Sequence, residues 1–356
     1  MRTKVTIVYF GFNSLFTHKR GVENVIHFQS LASPSRVNYY LHWDSKVQVK
    51  RFENLICIGV KKDMFWFLTL NLILIRLNKN NGKLFIHAHN SLMAIMSIYR
   101  SNLLTVHDGL YYLKSATKQK FSKLFWLVEK ILYLRCDYLH FISDYSKKMS
   151  LYTKENFVVI ANTSHFESFK NKPFIEDSDS KKSNEEVVKV FAVRSMEERA
   201  LINLIIDVAE ILKNSKFEFC IAGKGPLLEF YKNEIEKRKL SNIHLLGYVP
   251  DDELIQYYKH CDIVIVPAAY GEGFGLPIIE GYLFDKVVIA SKVCAIPDVI
   301  CSQNFLFENN TKSIISKLNV ATHAIYGRYK EYYDKTFSNK IIVSKMKELY
   351  IKLLIN

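Results

Sequence analysis

No stretch of this chain holds the ~18 consecutive apolar residues that a bilayer-spanning helix needs. The longest candidate, "MFWFLTLNLILI" at 64–75, is interrupted by Asn71 and followed by Arg76. The opening "MRTKVTIVYFGF" joins a basic tip to an apolar stretch, but no small-residue cleavage site follows, so it reads as a first buried strand rather than a signal peptide. Cysteine is sparse: six residues at 57, 136, 220, 261, 294 and 301, with no C-x-x-C pair. Such spacing argues against a disulfide framework and against a zinc site, and for a reducing compartment. An H-x-H, "HAH" at 87–89, stands at a strand end without Cys or acidic neighbours, and reads as structural rather than metal-binding. The sequence also shows no short-period repeat, no coiled coil, and no nucleic-acid-reading module or basic-aromatic groove.

What is present is an ordinary globular composition, 49% hydrophobic and 24% charged over 356 residues, enough for two domains. Its charge is unevenly placed. Residues 1–172 carry 25 Lys and Arg against 10 Asp and Glu, whereas residues 173–356 carry 24 against 25. The whole excess of +14 therefore belongs to the first half. A basic face there suits an anionic membrane surface, a nucleic acid or a phosphorylated substrate.

Short apolar runs alternate with longer amphipathic ones, which predicts parallel sheets covered on both faces. The first half offers seven strand-like runs, from "KVTIVYF" to "NFVVIAN", and the second offers five, "VVKVFAV", "FEFCIAG", "NIHLLGY", "DIVIVPA" and "KVVIAS". Helices are expected between them, among others at 201–213, 226–239 and 251–260. The polar "KNKPFIEDSDSKKSNEEV" reads as a linker. The expected organisation is an N-terminal Rossmann-like domain over 1–170, a linker at 171–187, a second Rossmann-like domain over 188–335, and a C-terminal helix at 336–356 packing back on the first. In such doubly wound α/β domains, ligands sit beyond the strand C-termini.

Three strand ends in the second half carry suggestive residues. "YGEGFGLPIIEG" (270–281) follows "DIVIVPAA" and reads as strand, tight turn and helix start, with Pro277 in the first helical turn. Glycines 271, 273 and 275 would permit positive φ and close approach of a ligand. Free N–H groups at the helix start make an anion cradle, and Glu272 and Glu280 beside it suit hydroxyl groups, as a sugar nucleotide offers. "RSMEERA" places Arg194 at a strand end and Arg199 five residues on, two forked donors suited to a diphosphate. The competing reading pairs Arg199 with Glu197 or Glu198. "GKGP" is a Gly-rich turn, and in "YVPDDEL" Asp251 or Asp252 is expected to cap the next helix.

Taken in order, these segments resemble the retaining glycosyltransferases of family 4, which have the two-domain GT-B fold. "YGEGFGLPIIEG" resembles that family's Glu, seven residues, Glu signature, "AGKGP" its A-G-x-G-P, and "SKVCAIPDVI" its closing segment. In "RSMEERA", Arg199 and Ala200 stand where the family has Lys-Gly. "KRGVENVI" is similar to its G-G-x-E loop with Arg20 replacing one glycine, and "TVHDG" and "FISDYSKK" also match. The resemblance implies that Arg194 and Arg199 hold the donor diphosphate with the backbone of Gly273, Phe274, Gly275 and Leu276. It implies that Glu272 binds the transferred sugar, Glu280 the ribose, and Tyr248 and Val249 the base edge. Gly21 would let the first-domain loop close, and His107 would lie near sugar and acceptor.

The expectation is thus an α/β, GT-B enzyme of the hexosyltransferase type, two doubly wound domains facing across a cleft. It would move sugar from a nucleotide-diphosphate donor to a glycan or lipid-linked acceptor in bacterial cell-surface polysaccharide synthesis, with retention and without a metal or other cofactor. His107, Arg194, Arg199 and Glu272 would be catalytic. The expected setting is cytoplasmic and peripheral at the inner membrane face, through an anionic membrane contact of the basic first domain at 61–79 and 114–135, with no nucleic-acid partner. The alternatives are a sugar-nucleotide epimerase or hydrolase on the same fold, or a non-catalytic basic binding protein.

Overall fold

The computed structural model describes residues 5–17, 21–107, 122–150, 155–169 and 187–355. Contacts divide the chain into two units, Met1–Thr163 with Asn339–Asn356, and Ser164–Ser338. All of the expected linker except Val187 lies outside the described residues.

The first unit is built on an eight-stranded sheet, β1 (Thr6–Phe10), β2 (Asn38–Asp44), β3 (Val49–Phe52), β4 (Leu55–Lys61), β5 (Leu84–Ala88), β6 (Ser101–Val106), β7 (Cys136–Phe141) and β8 (Phe157–Val159). Their order is β3-β4-β2-β1-β5-β6-β7-β8. Every pairing is parallel except β3 with β4. β3 is the strand that periodicity missed: it is an edge strand of sequence VKRF, with Val49, Lys50 and Arg51 exposed, so it has no apolar face to betray it. The helices are α1 (Gly21–Leu31), α2 (Trp66–Asn81), α3 (Ser91–Met96), α4 (Ser122–Leu134) and α5 (Asp144–Lys148). On one face of the sheet, α2, α3 and α4 bury Leu70, Leu74, Met93, Leu132 and Tyr133 in a single apolar cluster.

The second unit contains β9 (Val188–Val193), β10 (Phe217–Ala222), β11 (Ile243–Gly247), β12 (Ile263–Val266), β13 (Val287–Ser291) and β14 (Leu306–Phe307). The order β11-β10-β9-β12-β13-β14 is all parallel, the doubly wound arrangement in which strand order reverses beside the first strand. β14, two residues long, was too short to show a pattern. Its helices are α6 (Ile202–Ile211), α7 (Leu228–Lys237), α8 (Asp251–His260), α9 (Leu276–Leu283), α10 (Ile296–Val299), α11 (Thr311–Thr322) and α12 (Tyr329–Thr336). The cap of α8 corrects the sequence reading. Pro250 holds the N-cap position and neither aspartate caps; Asp251 instead meets His165, at 3.2 Å.

The chain then returns to the first unit as α13 (Asn339–Ile355), which buries Ile342, Met346, Leu349 and Tyr350 among residues of β1, β5 and α1. Tyr350 also belongs to a buried hydrogen-bond network that runs on through the Tyr9 hydroxyl, at 3.0 Å, which donates to the Gln29 carbonyl. The Ile160 carbonyl can only accept, so His140 donates Nε2–H to it, at 2.9 Å. His140 Nδ1 lies 2.9 Å from Thr105 Oγ1, which lies 2.7 Å from His87 Nε2, and His87 Nδ1 lies 2.7 Å from the Tyr350 hydroxyl. Burial pushes His140 down to about 4 and His87 well below its ordinary value.

Candidate active site

The strand-order reversal of the second unit lies between β9 and β12, and the residues following those two strands are the ones that the sequence singled out. β9 ends at Val193, so Arg194 is the first residue beyond it; β12 leads into the turn 267–275. Arg194 Nη1 donates to Glu272 Oε2 at 2.7 Å across that crevice, and both side chains are largely buried. The Nε–H of Arg194 is buried with no acceptor among the described residues. Such an orphan is costly unless a ligand satisfies it.

The "GKGP" turn explains how Arg194 comes to be there. Gly223 has φ +141°, and a Cβ on it would stand 1.8 Å from the Arg194 carbonyl oxygen; one on Gly225 would stand 2.5 Å from that of Met196. Only glycine lets the two strand ends touch this closely. The amide of Arg194 is tied to Ala222 (2.9 Å) and that of Met196 to Lys224 (3.1 Å).

Arg199 makes two contacts in the second unit. Its Nε donates to Glu197 at 3.0 Å, the competing reading, and its Nη1 donates to the Gly271 carbonyl at 3.0 Å. It braces the turn carrying Glu272. Within that turn Gly271 and Gly275 take positive φ, 67° and 92°, while Gly273 does not. Gly275 is the N-cap of α9 and Pro277 lies in its first turn, so the expected strand, turn and helix start is present. Phe274 is buried, with its ring edge-on to Phe337 at 5.9 Å, which leaves its backbone rather than its side chain for a ligand. Leu276 and Val249 are half-buried, and Tyr248 is exposed with Lys224 over its ring.

Glu280 is not on an exposed helix face. It is buried and accepts from the Tyr258 hydroxyl at 2.7 Å, a partner that nothing in the sequence pattern announced. Burial raises its pKa, partly opposed by His165 and by the Tyr258 hydrogen bond. Arg194 is near enough for its charge to act on Tyr258. Arg194, Arg199, Glu272 and Glu280 are thus brought to one neighbourhood.

The first-unit residues are described within that unit. His107 Nε2 lies 2.9 Å from Nδ1 of the buried His89, so one ring donates to the other. Burial, with His140 nearby, pushes His107 down to about 3, and His89 is also well below the ordinary value. His89 Nε2 is buried without a hydrogen-bond partner among the described residues. Gly21 opens α1, and no described residue comes within 4 Å of where a Cβ would stand; Arg20 lies outside the described residues. No group of metal-binding side chains is assembled among the described residues. The chain's Asp-x-Asp, Asp177 and Asp179, lies outside them. A separate cavity of about 430 Å³ opens in the second unit beside Phe191, Cys220, Tyr257 and His260; none of the four charged residues lines it.

Residues 173–323 match the family described as Glycosyl transferases group 1. An uncharacterised glycosyltransferase of Methanocaldococcus jannaschii is 28% identical over 160 residues, 43% of this chain and 44% of that protein. O-antigen chain mannosyltransferase B of Escherichia coli is 36% identical over 74 residues, 21% of this chain and 19% of that one. The matched part of the chain therefore spans less than half the length of these relatives. Among solved structures, sucrose-phosphate synthase from Thermosynechococcus elongatus aligns with a TM-score of 0.79 at 15% identity, covering 98% of this chain and 99% of that one. Anabaena HepE, solved with UDP and glucose, aligns at 0.74 and 15% identity, covering 98% and 99%. The fold is GT-B, and residues 173–323, most of them in the second unit, are similar to the group 1 glycosyltransferases.

Proposed function

We propose that the protein transfers a sugar, with retention of anomeric configuration, from a nucleotide-diphosphate donor to a glycan or lipid-linked acceptor. The observation that carries this reading is Arg194, fixed at the strand-order reversal with a buried N–H unanswered, beside a turn that ends in the N-terminus of α9. A diphosphate is the anion that such a cradle fits.

In the reaction the bond from the anomeric carbon to the diphosphate oxygen breaks, and the acceptor oxygen bonds to that carbon. The acceptor proton passes to the leaving phosphate on the same face. Charge grows on the leaving group, where Arg194 and the α9 amides are preorganised to meet it. Glu272 is oriented by Arg194 and would accept from sugar hydroxyls, while Glu280, steadied by Tyr258, would serve the ribose. Arg199 acts through the turn it braces. With cationic groups in these positions the reading requires no metal. His107 would act on sugar or acceptor as a neutral imidazole.

The mannosyltransferases of O-antigen synthesis among the relatives support a role in cell-surface polysaccharide synthesis. The basic excess of residues 1–172 supports a lipid-linked acceptor at an anionic membrane surface, reached from the cytoplasmic side. The test is a panel of nucleotide sugars read by thermal shift and by slow donor hydrolysis. At a hundredfold excess over Kd the true donor adds about 2.7 kcal/mol of stability. Turnover that EDTA abolishes and magnesium restores would sink the metal-free mechanism. Release of an epimerised sugar without acceptor would replace transfer by epimerisation.

A further inference from the structure

Three helices of the first unit are apolar on the side that turns away from the sheet. α2 sends Leu70, Leu74 and Leu77 into the core. At about 100° per residue its opposite side carries Phe65, Leu68, Leu72 and Ile75, each 48–57% exposed. α4 repeats the arrangement: Leu132 and Tyr133 face inward, while Leu124, Leu127, Ile131 and Leu134 are 40–59% exposed. α3 adds Leu92 and Met96, and Ile98 follows it, all exposed.

The stripes lie side by side. All three helices enter the same core cluster, and polar side chains lock their ends together. Asn71 of α2 donates to the Met96 carbonyl at 3.0 Å and accepts from the Ile98 amide at 2.8 Å. Arg135, after α4, donates to the Ser97 carbonyl, and Arg100 donates to the Leu134 carbonyl at 2.8 Å. The residue that interrupts the apolar run in the sequence is therefore the clamp that holds α2 against α3.

Contiguous exposed apolar surface on this scale marks an interaction face, and charge selects its occupant. Neither α2 nor α3 contains an acidic residue, and the single acid of α4, Glu129, is 1% exposed. Asp63 and Asp137 near the helix ends are already paired with Lys61 and Arg100. Lys62, Arg76, Lys79 and Lys130, on or just before the same helices, are exposed. A second copy would set like charges against one another, and a nucleic acid offers nothing to the apolar stripes.

We propose that this three-helix face is a docking surface for an anionic phospholipid membrane, with the stripes entering the boundary between headgroups and acyl chains and the basic side chains at the rim. The surface gives the membrane contact of the proposed function a location, and it rests on that reading only for the reason the membrane is visited.

The experiment is co-sedimentation with phosphatidylcholine vesicles with and without phosphatidylglycerol, at low and high salt. Wild type should pellet with the anionic vesicles and be released by salt. Leu72→Glu with Leu127→Glu should lower vesicle binding by about tenfold or more, and Arg76→Glu with Lys79→Glu by about fivefold per residue, with unchanged melting temperatures. Val49→Glu and Phe230→Glu, at exposed apolar positions elsewhere, should bind as wild type. Indifference of wild type to anionic vesicles, or wild-type binding by the Leu72/Leu127 pair, would overturn the proposal. So would face variants that alter only oligomeric state in light scattering. Stabilisation by nucleotide sugars is measured on the same proteins, so loss of lipid binding with donor binding intact separates the two readings.

Discussion

Arg194 is a guanidinium held nearly out of water by a single carboxylate, and removing one partner of such a pair strands the other. Arg194→Ala should therefore cost about 3 kcal/mol of stability as well as activity. The two effects can be separated. In Arg194→Ala with Glu272→Gln the uncompensated charge is gone, so the melting temperature should largely recover. The turnover number should stay ~10²-fold or more down, as when a donor to a developing anion is lost. A double variant that regains turnover along with stability would reduce Arg194 to a structural role. Glu280 yields a pH prediction of definite sign. Its pKa in the folded protein is raised, so the native state holds the proton more tightly than the unfolded chain. Its contribution to stability is full below the ordinary carboxylate pKa and is lost as pH rises through the raised value. Glu280→Gln should remove that loss, seen as a flatter plot of urea midpoint against pH above about 4.5. An unchanged slope would show that the carboxyl titrates normally.

At the level of the elements, much was legible. The strand, turn and helix start of 263–283 could be read because β-branched runs, paired glycines and a first-turn proline all act locally. The roles of Gly223 and Gly225 could not, since their reason is the backbone of Arg194 and Met196, which follow another strand, 1.8 and 2.5 Å from the would-be side chains. The same holds for Tyr258 under Glu280 and His89 beside His107: partners at i to i+22 or across two strands leave no local trace. Strand β3 escaped because an exposed edge lacks an apolar face, and the α8 cap was misassigned because Asp251 was drawn to His165. Gly223→Ala tests the close approach. The methyl would meet a carbonyl and the φ is one that L-residues avoid, so a cost of about 2–3 kcal/mol is expected. A substituted protein that melts as wild type would mean that the two strand ends can part freely.

The buried imidazoles His87 and His140 of the first unit and the buried carboxyl of Glu280 in the second should answer acid in opposite senses. In the first unit His87 and His140 stay neutral when folded, whereas an unfolded chain takes up their protons below about pH 6.5. Stability from these groups is full above that value and falls as pH drops toward about 4 for His140, by about 1.4 kcal/mol per pH unit for each ring. Glu280 acts in the other sense, its contribution growing as pH falls through its raised pKa. Urea unfolding followed by probes placed in each unit between pH 7 and 5 should show the first weakening, with imidazole NMR shifts flat; an early-titrating His140 would contradict a pKa lowered by burial. α13 carries a different consequence, one of timing. Its four buried side chains are worth about 6 kcal/mol or more, and its Tyr350 hydroxyl meets His87. Yet residues 339–355 are translated only after the whole of 164–338. On the ribosome the second unit can condense as soon as its strands emerge, while the β1–β8 sheet waits with an uncovered face. The unit whose synthesis begins first is the one completed last.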